Sequence, residues 1–216
     1  LRCCRLIVKH WIKKYNYVPD MIVIEGPEAG GHLGFKREEL EEDTKPKLEN
    51  ITKEVVDYIN EVEKETGKDI PVIAAGGIWH STDIKKFLNL GASGVQMATR
   101  FVATHECDAS IEFKKAYVNA NEEDVKIINS PVGMPGRAIC NSFIKKVEKE
   151  KCKIDKCYNC IKTCNIIDSP YCITKALINS VKGKTEDGLI FCGSNVSRIK
   201  EIVSVKDLMK ELVCEL

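Results

Sequence analysis

A surplus of charge of either sign is what this sequence lacks: 33 Lys and Arg face 32 Asp and Glu, a formal net charge of +1. Nothing electrostatic therefore selects nucleic acid or an anionic membrane as the main partner, and a small neutral or anionic metabolite fits better. Also missing is any apolar run approaching the roughly 18 to 20 residues that span a bilayer. The opening Leu1 to His10 has neither the long apolar core nor the small-residue cleavage site of a secretory signal. The expected location is the cytoplasm. Internal repeats and low-complexity tracts are absent too. The lack of a starting Met, with helix-like residues Arg5 to Tyr15 at the front and no strand before them, predicts a chain cut from something longer.

What is present suffices for a core. The 216 residues are 44% hydrophobic, which excludes disorder for most of the chain. The 11 cysteines are odd in number and partly clustered, which fits reduced thiols or a metal site better than a disulfide framework.

Between Met21 and Thr99 short apolar runs alternate with amphipathic stretches, the rhythm of βαβ units and a parallel sheet. Met21-Ile22-Val23-Ile24, Pro71-Val72-Ile73-Ala74-Ala75 and Gly94-Val95-Gln96-Met97 are the expected strands. Asn50 is the expected cap of a helix carrying Ile51, Val55, Val56, Ile59 and Val62, ended by Gly67. Ser81 is expected to cap a second, with Asp83 in its first turn and closure at Gly91. The charged stretch Phe35 to Leu48 is long for a βα connection and reads as a functional loop. Ile111 to Ala120 reads as a helix. Ser130-Pro131-Val132-Gly133-Met134-Pro135-Gly136-Arg137 is too rich in Pro and Gly to be read as regular. At the end Ser204, with Asp207 three residues on, opens a helix with a stripe of Val205, Leu208, Met209, Leu212 and Val213.

Chemistry concentrates where strands end. Gly30-Gly31-His32, Gly76-Gly77 and Ala98-Thr99-Arg100 each follow an expected strand, so in a parallel α/β fold they share the rim that carries active sites. Glycines there let backbone N–H groups approach a phosphate, and Thr99 adds a hydroxyl. Any single Gly-Gly pair is equally well a tight turn. His32, after paired glycines, is well placed as a general base. His10, His80 and His105 have weaker context.

Three blocks, Glu25-Gly26-Pro27-Glu28-Ala29-Gly30-Gly31-His32-Leu33-Gly34, Pro71-Val72-Ile73-Ala74-Ala75-Gly76-Gly77-Ile78 and Gly91-Ala92-Ser93-Gly94-Val95-Gln96-Met97-Ala98-Thr99-Arg100-Phe101, resemble the nitronate monooxygenase family, in that family's order. The resemblance is close over Arg5 to Glu106 and looser beyond. It implies an α/β fold, the C-terminal half of an FMN-binding, aldolase-type TIM barrel in residues 1–125. Residues 126–216 are then a Pro/Gly-rich and Cys-rich extension ending in a helix. It also implies oxidation of alkyl nitronates by O2 to nitrite and a carbonyl compound, with His32 as the base that deprotonates nitroalkanes. The implied FMN contacts are Glu25, Gly30, Gly31, Gly76, Gly77, Gln96, Met97, Ala98 and Thr99, with Gly76, Gly77, Ala98 and Thr99 nearest the phosphate. A small-molecule substrate, no nucleic acid, no membrane and a homodimer are the partner expectations.

Two departures bear on that reading. The family's best-known members have Gln where this chain has Glu25, while Glu followed by Gly resembles the flavin-dependent enoyl-acyl carrier protein reductases. An FMN-dependent NAD(P)H reductase is thus the rival, and an inactive barrel fragment the alternative from another class. The second departure is Ala98, where Gly is usual.

Cys152, Cys157, Cys160, Cys164 and Cys172 crowd together, with Cys157-x-x-Cys160-x-x-x-Cys164 at the centre. Thiolates so spaced hold zinc or an iron–sulfur cluster. The spacing matches no ferredoxin pattern and has no second Cys-x-x-Cys, so unligated thiols are the expectation and no residue is assigned to a metal.

Overall fold

The computed structural model describes residues 1–40, 45–162 and 164–216. In chain order its strands are β1 (Ile22–Glu25), β2 (Gly31–His32), β3 (Val72–Ala75), β4 (Gly94–Gln96), β5 (Val125–Asn129) and β6 (Pro135–Ile139). Its α-helices are α1 (Arg2–Tyr15), α2 (Leu48–Thr66), α3 (Ser81–Asn89), α4 (Thr99–Val102), α5 (Ile111–Val118), α6 (Ser142–Val147), α7 (Ile173–Val181) and α8 (Val205–Val213). Contacts divide the chain into two units, one of Leu1–Pro27, Leu40–Met97 and Met209–Leu216, the other of Glu28–Glu39 and Ala98–Leu208.

The first unit is built on a parallel sheet in the order β1-β3-β4, with α2 and α3 as the crossovers that parallel pairing requires. Ile24, Ala74 and Val95 lie in one register row, and Glu25, Ala75 and Gln96 in the next. One sheet face is closed by α2, whose Val55, Val56, Ile59 and Val62 fall at helical spacing and pack with Ile24 and Val72. Because side chains alternate along a strand, Val23 lies on the other face and is 46% exposed. Among the described residues the three strands form an open sheet rather than a closed barrel.

Helix ends correct two expected caps. Asn50 lies inside α2, not before it: Lys47 is the capping residue, and the Asn50 and Ile51 N–H groups already donate to its carbonyl. Burying Leu48 against Gly26 pulls the start earlier. In α3 the cap is His80 instead of Ser81, because the Asp83 carboxylate accepts from both the Trp79 and His80 N–H groups at 2.9 Å. Gly67 does end α2, at a left-handed φ of 68° that favours glycine.

The second unit holds an antiparallel sheet in the order β2-β6-β5. The expectation of irregular chain over Ser130 to Arg137 is corrected here. The turn is confined to residues 130–134, with Gly133 at φ 81°, and Pro135, Gly136 and Arg137 open β6. Pro at a strand's first residue removes no ladder donor, while its carbonyl accepts the Leu33 N–H at 2.9 Å. Beneath the hairpin, Ile128, Ala138, Phe143, Ile144, Ile173 and Leu189 form the core. Ser204 opens α8 as expected, accepting the Asp207 N–H at 3.0 Å. Only Leu208 and Leu212 of the expected stripe are buried, with Met209 and Val213 exposed. Of the expected loop Phe35 to Leu48, residues 41–44 lie outside the described residues. Its first part is pinned by Arg37, which donates to Asn129 Oδ1 at 3.0 Å and the Ile127 carbonyl at 3.2 Å. No described helix is long and apolar enough to cross a membrane.

Candidate active site

His32 does not sit in a loop after a strand, as the sequence suggested, but within β2, paired with Gly136 of β6 while Gly31 pairs with Arg137. Gly136 is a glycine for steric reasons: a Cβ there would lie 2.9 Å from the Phe191 ring. That ring meets the imidazole edge-on, 4.9 Å between centroids at 66°, a favourable aromatic geometry. Buried Tyr117 donates to the Phe191 carbonyl. On its other side His32 Nε2 lies 2.7 Å from the hydroxyl of buried Ser130. Partial burial holds the imidazole below its ordinary pKa, so the neutral ring dominates at physiological pH.

The approach to His32 is fixed as firmly. The buried Arg137 guanidinium donates to the Ala29 carbonyl; burial depresses its pKa, an effect the nearby Glu28 opposes. Gly30 packs on the backbone of residues 192 and 193, where a Cβ would come within 2.6 Å of the Cys192 carbonyl carbon. Thr99 Oγ1 accepts the Gly193 N–H at 3.0 Å, so Gly30 and Thr99 meet on one loop. Gly31, at φ 76°, has nothing within 4 Å of where a Cβ would stand. Ala98 caps α4 at a negative φ of −126°, so the left-handed backbone that favours glycine is not what this position requires.

The first unit supplies the other expected residues. Glu25 and Gln96 end β1 and β4, flanking Ala75 in register, and Met97 follows half-buried. Gly76 and Gly77 follow β3 at φ 97° and 79°, two successive left-handed glycines. Desolvation raises the Glu25 carboxyl from its ordinary pKa, although the residue as a whole is exposed. Two of the remaining histidines are occupied elsewhere: His10 packs on the Tyr15 ring, and His80 lies 3.5 Å from Glu211.

The nitronate monooxygenase family profile matches residues 3–215. The chain belongs to that family. Over 132 residues it is 37% identical to a probable nitronate monooxygenase of Staphylococcus saprophyticus, a match taking in 60% of this chain and 34% of that protein. Among solved structures it is similar to FabK from Thermotoga maritima, with a TM-score of 0.69 and 25% identity over 99% of this chain and 57% of the other. A nitroalkane oxidase from Streptomyces ansochromogenes shares the fold, with a TM-score of 0.62 and 23% identity over 91% of this chain and 51% of that one. The chain thus spans about a third of that curated relative and about half of those two structures.

Within this member of the nitronate monooxygenase family, sequence reasoning named His32 and the glycines but not Ser130, Phe191, Gly193, Tyr117 and Arg137, which the structure packs around His32, Gly30 and Thr99. Ser130 and Arg137 lay in the segment read as irregular. Gly193 had a faint signal, a glycine before Ser194-Asn195 with no strand periodicity to frame it. Phe191 and Tyr117 carried none.

Proposed function

We propose that this chain forms part of an FMN-dependent nitronate monooxygenase of the cytoplasm, with His32 the base that deprotonates nitroalkanes. The observation that carries the reading is the setting of His32: a half-buried imidazole at a Gly-Gly strand, held by Ser130 and Phe191, where burial lowers its pKa. We assign Nε2–H as the donor to Ser130 Oγ. Nδ1 is then the proton acceptor, and the same serine oxygen stabilises the imidazolium that forms. The chain's residues suit a flavin: Gly31 has nothing where a Cβ would stand, and Gly76 and Gly77 take the left-handed φ that favours glycine after β3. Glu25, Gly30, Gly31, Gly76, Gly77, Gln96, Met97, Ala98 and Thr99 are the proposed FMN residues. When bound, FMN supplies the electron and oxygen chemistry. The protein's share is to fix the ring and take the proton.

His32→Ala tests the assignment. Oxidation of neutral nitroalkanes should fall about 10²- to 10⁴-fold while oxidation of preformed nitronates is kept. Equal loss of both would overturn the role of base. Extraction and chromatography of the flavin distinguishes FMN from FAD.

Glu25 favours a second reading, an NAD(P)H-dependent reductase resembling the enoyl-acyl carrier protein reductases. The Glu25-Gly26 pair is what those reductases show at this place, and the likeness to FabK is compatible with it. Anaerobic bleaching of the flavin by NAD(P)H alone supports this reading, and bleaching by a nitronate only supports the first.

A further inference from the structure

Between Lys153 and Ser169 the described chain has neither helix nor strand, yet it is closed at its base by the Cys152 N–H donating to the Pro170 carbonyl at 2.7 Å. Loops longer than about 12 to 15 residues without structure of their own are uncommon in compact domains. Little apolar burial holds this one: Ile161 packs against the core of the second unit, while Ile166 and Ile167 are 44% and 84% exposed. Four cysteines of the region, Cys157, Cys160, Cys164 and Cys172, line a single cavity, together with Lys162 and Tyr171. At the Cys157-x-x-Cys160 turn Asn159 adopts a left-handed φ of 50°, and its N–H donates to Cys157 Sγ at 3.3 Å. Tyr171 is 3% exposed, and its hydroxyl has no hydrogen-bond partner among the described residues. A buried donor left so costs free energy that a thiolate acceptor would recover.

We propose that Cys157, Cys160, Cys164 and Cys172 form a structural tetrathiolate zinc site that staples this loop. The spacings of two and three residues between the first three thiols suit tetrahedral zinc. Among the described residues no three potential ligands yet converge at bonding distance, so zinc draws the thiols inward from the cavity wall and orders the loop as it binds. One Zn²⁺ replaces four thiol protons, which leave to solvent, and the resulting centre carries two negative charges beside Lys162. Exposed thiols at Cys157, Cys160 and Cys164 suit redox-inert zinc better than an oxygen-sensitive cluster.

Metal analysis of the full chain, purified with reductant and zinc, tests the site. About one equivalent of zinc is expected, falling below ~0.2 in Cys160→Ser and in Cys172→Ser but kept in Cys214→Ser. Cobalt exchanged into the unaltered chain should give the intense spectrum of tetrahedral thiolate coordination, a readout independent of whether the variants fold. Chelation should open residues 153–169 to proteolysis. Zinc below ~0.2 equivalents in the unaltered chain, zinc retained in both variants, a weak octahedral cobalt spectrum, or iron with acid-labile sulfide would each overturn the proposal.

Discussion

The parallel sheet β1-β3-β4 covers one face with α2 and leaves Val23 on the other 46% exposed, whereas in the antiparallel sheet β2-β6-β5 the β6 residues Gly136 to Ile139 are buried in succession. The same contrast runs through the residues of interest. In the first unit β3 runs into Gly76 and Gly77, two successive residues at left-handed φ. In the second, His32 is held by Ser130, Phe191 and the ladder to Gly136, and its approach by Arg137. One unit leaves a sheet face exposed and the other immobilises a side chain, so substitutions should be tolerated differently in each.

The largest effect is expected at Gly30. Its missing Cβ would meet backbone atoms of residues 192 and 193 at 2.6–2.7 Å, which no rotamer relieves, so Gly30→Ala should cost about 3 kcal/mol or more in denaturant unfolding. Gly31→Ala, with open space but a φ of 76°, should cost about 1 kcal/mol. Equal costs would break the picture of a packed approach to His32. Next comes Arg137→Met, which strands the Ala29 carbonyl and should cost about 1 to 3 kcal/mol, accompanied by a shift in the His32 NMR titration.

Acid should act on the second unit through His32. Its folded pKa lies below the ordinary value of about 6.5, so the unfolded chain takes up the proton first as pH falls. The stability contributed by keeping the ring neutral is present above about pH 6.5 and is lost as pH falls through the folded pKa. Unfolding free energies of the unaltered chain and His32→Gln should converge on acidification; parallel curves would refute the assignment. The smallest effect belongs to the open sheet face, where Val23→Thr should stay within about 0.5 kcal/mol. Ala74→Ser, at a position 0% exposed, should cost about 1 to 3 kcal/mol.

Local periodicity explains which parts could be read in advance. The succession β1, α2, β3, α3, β4 is visible because apolar spacing of two and of three to four residues is a property of neighbours in the chain. The cap of α2 was misplaced because burial of Leu48 against Gly26, which no local pattern encodes, sets its start. β6 escaped notice because its proline and glycine are placed by distant partners: Pro135 receives the Leu33 N–H, and Gly136 makes room for Phe191. The site divides in the same way. His32 announces itself beside two glycines, but Ser130, 98 residues away along the chain, is an ordinary serine until the sheet closes.

The hydrogen bond from Tyr117 to the Phe191 carbonyl has a consequence for experiment. Burial raises the Tyr117 phenol well above its normal pKa and pushes the adjoining Cys192 thiol up to about 12, so both keep their protons across the range in which enzymes are assayed. Neither of these two groups behind the imidazole changes charge over that range. A single imidazole resonance followed with pH then reports one ionisation, and a ligand arriving beside it can be weighed by how far that one curve moves.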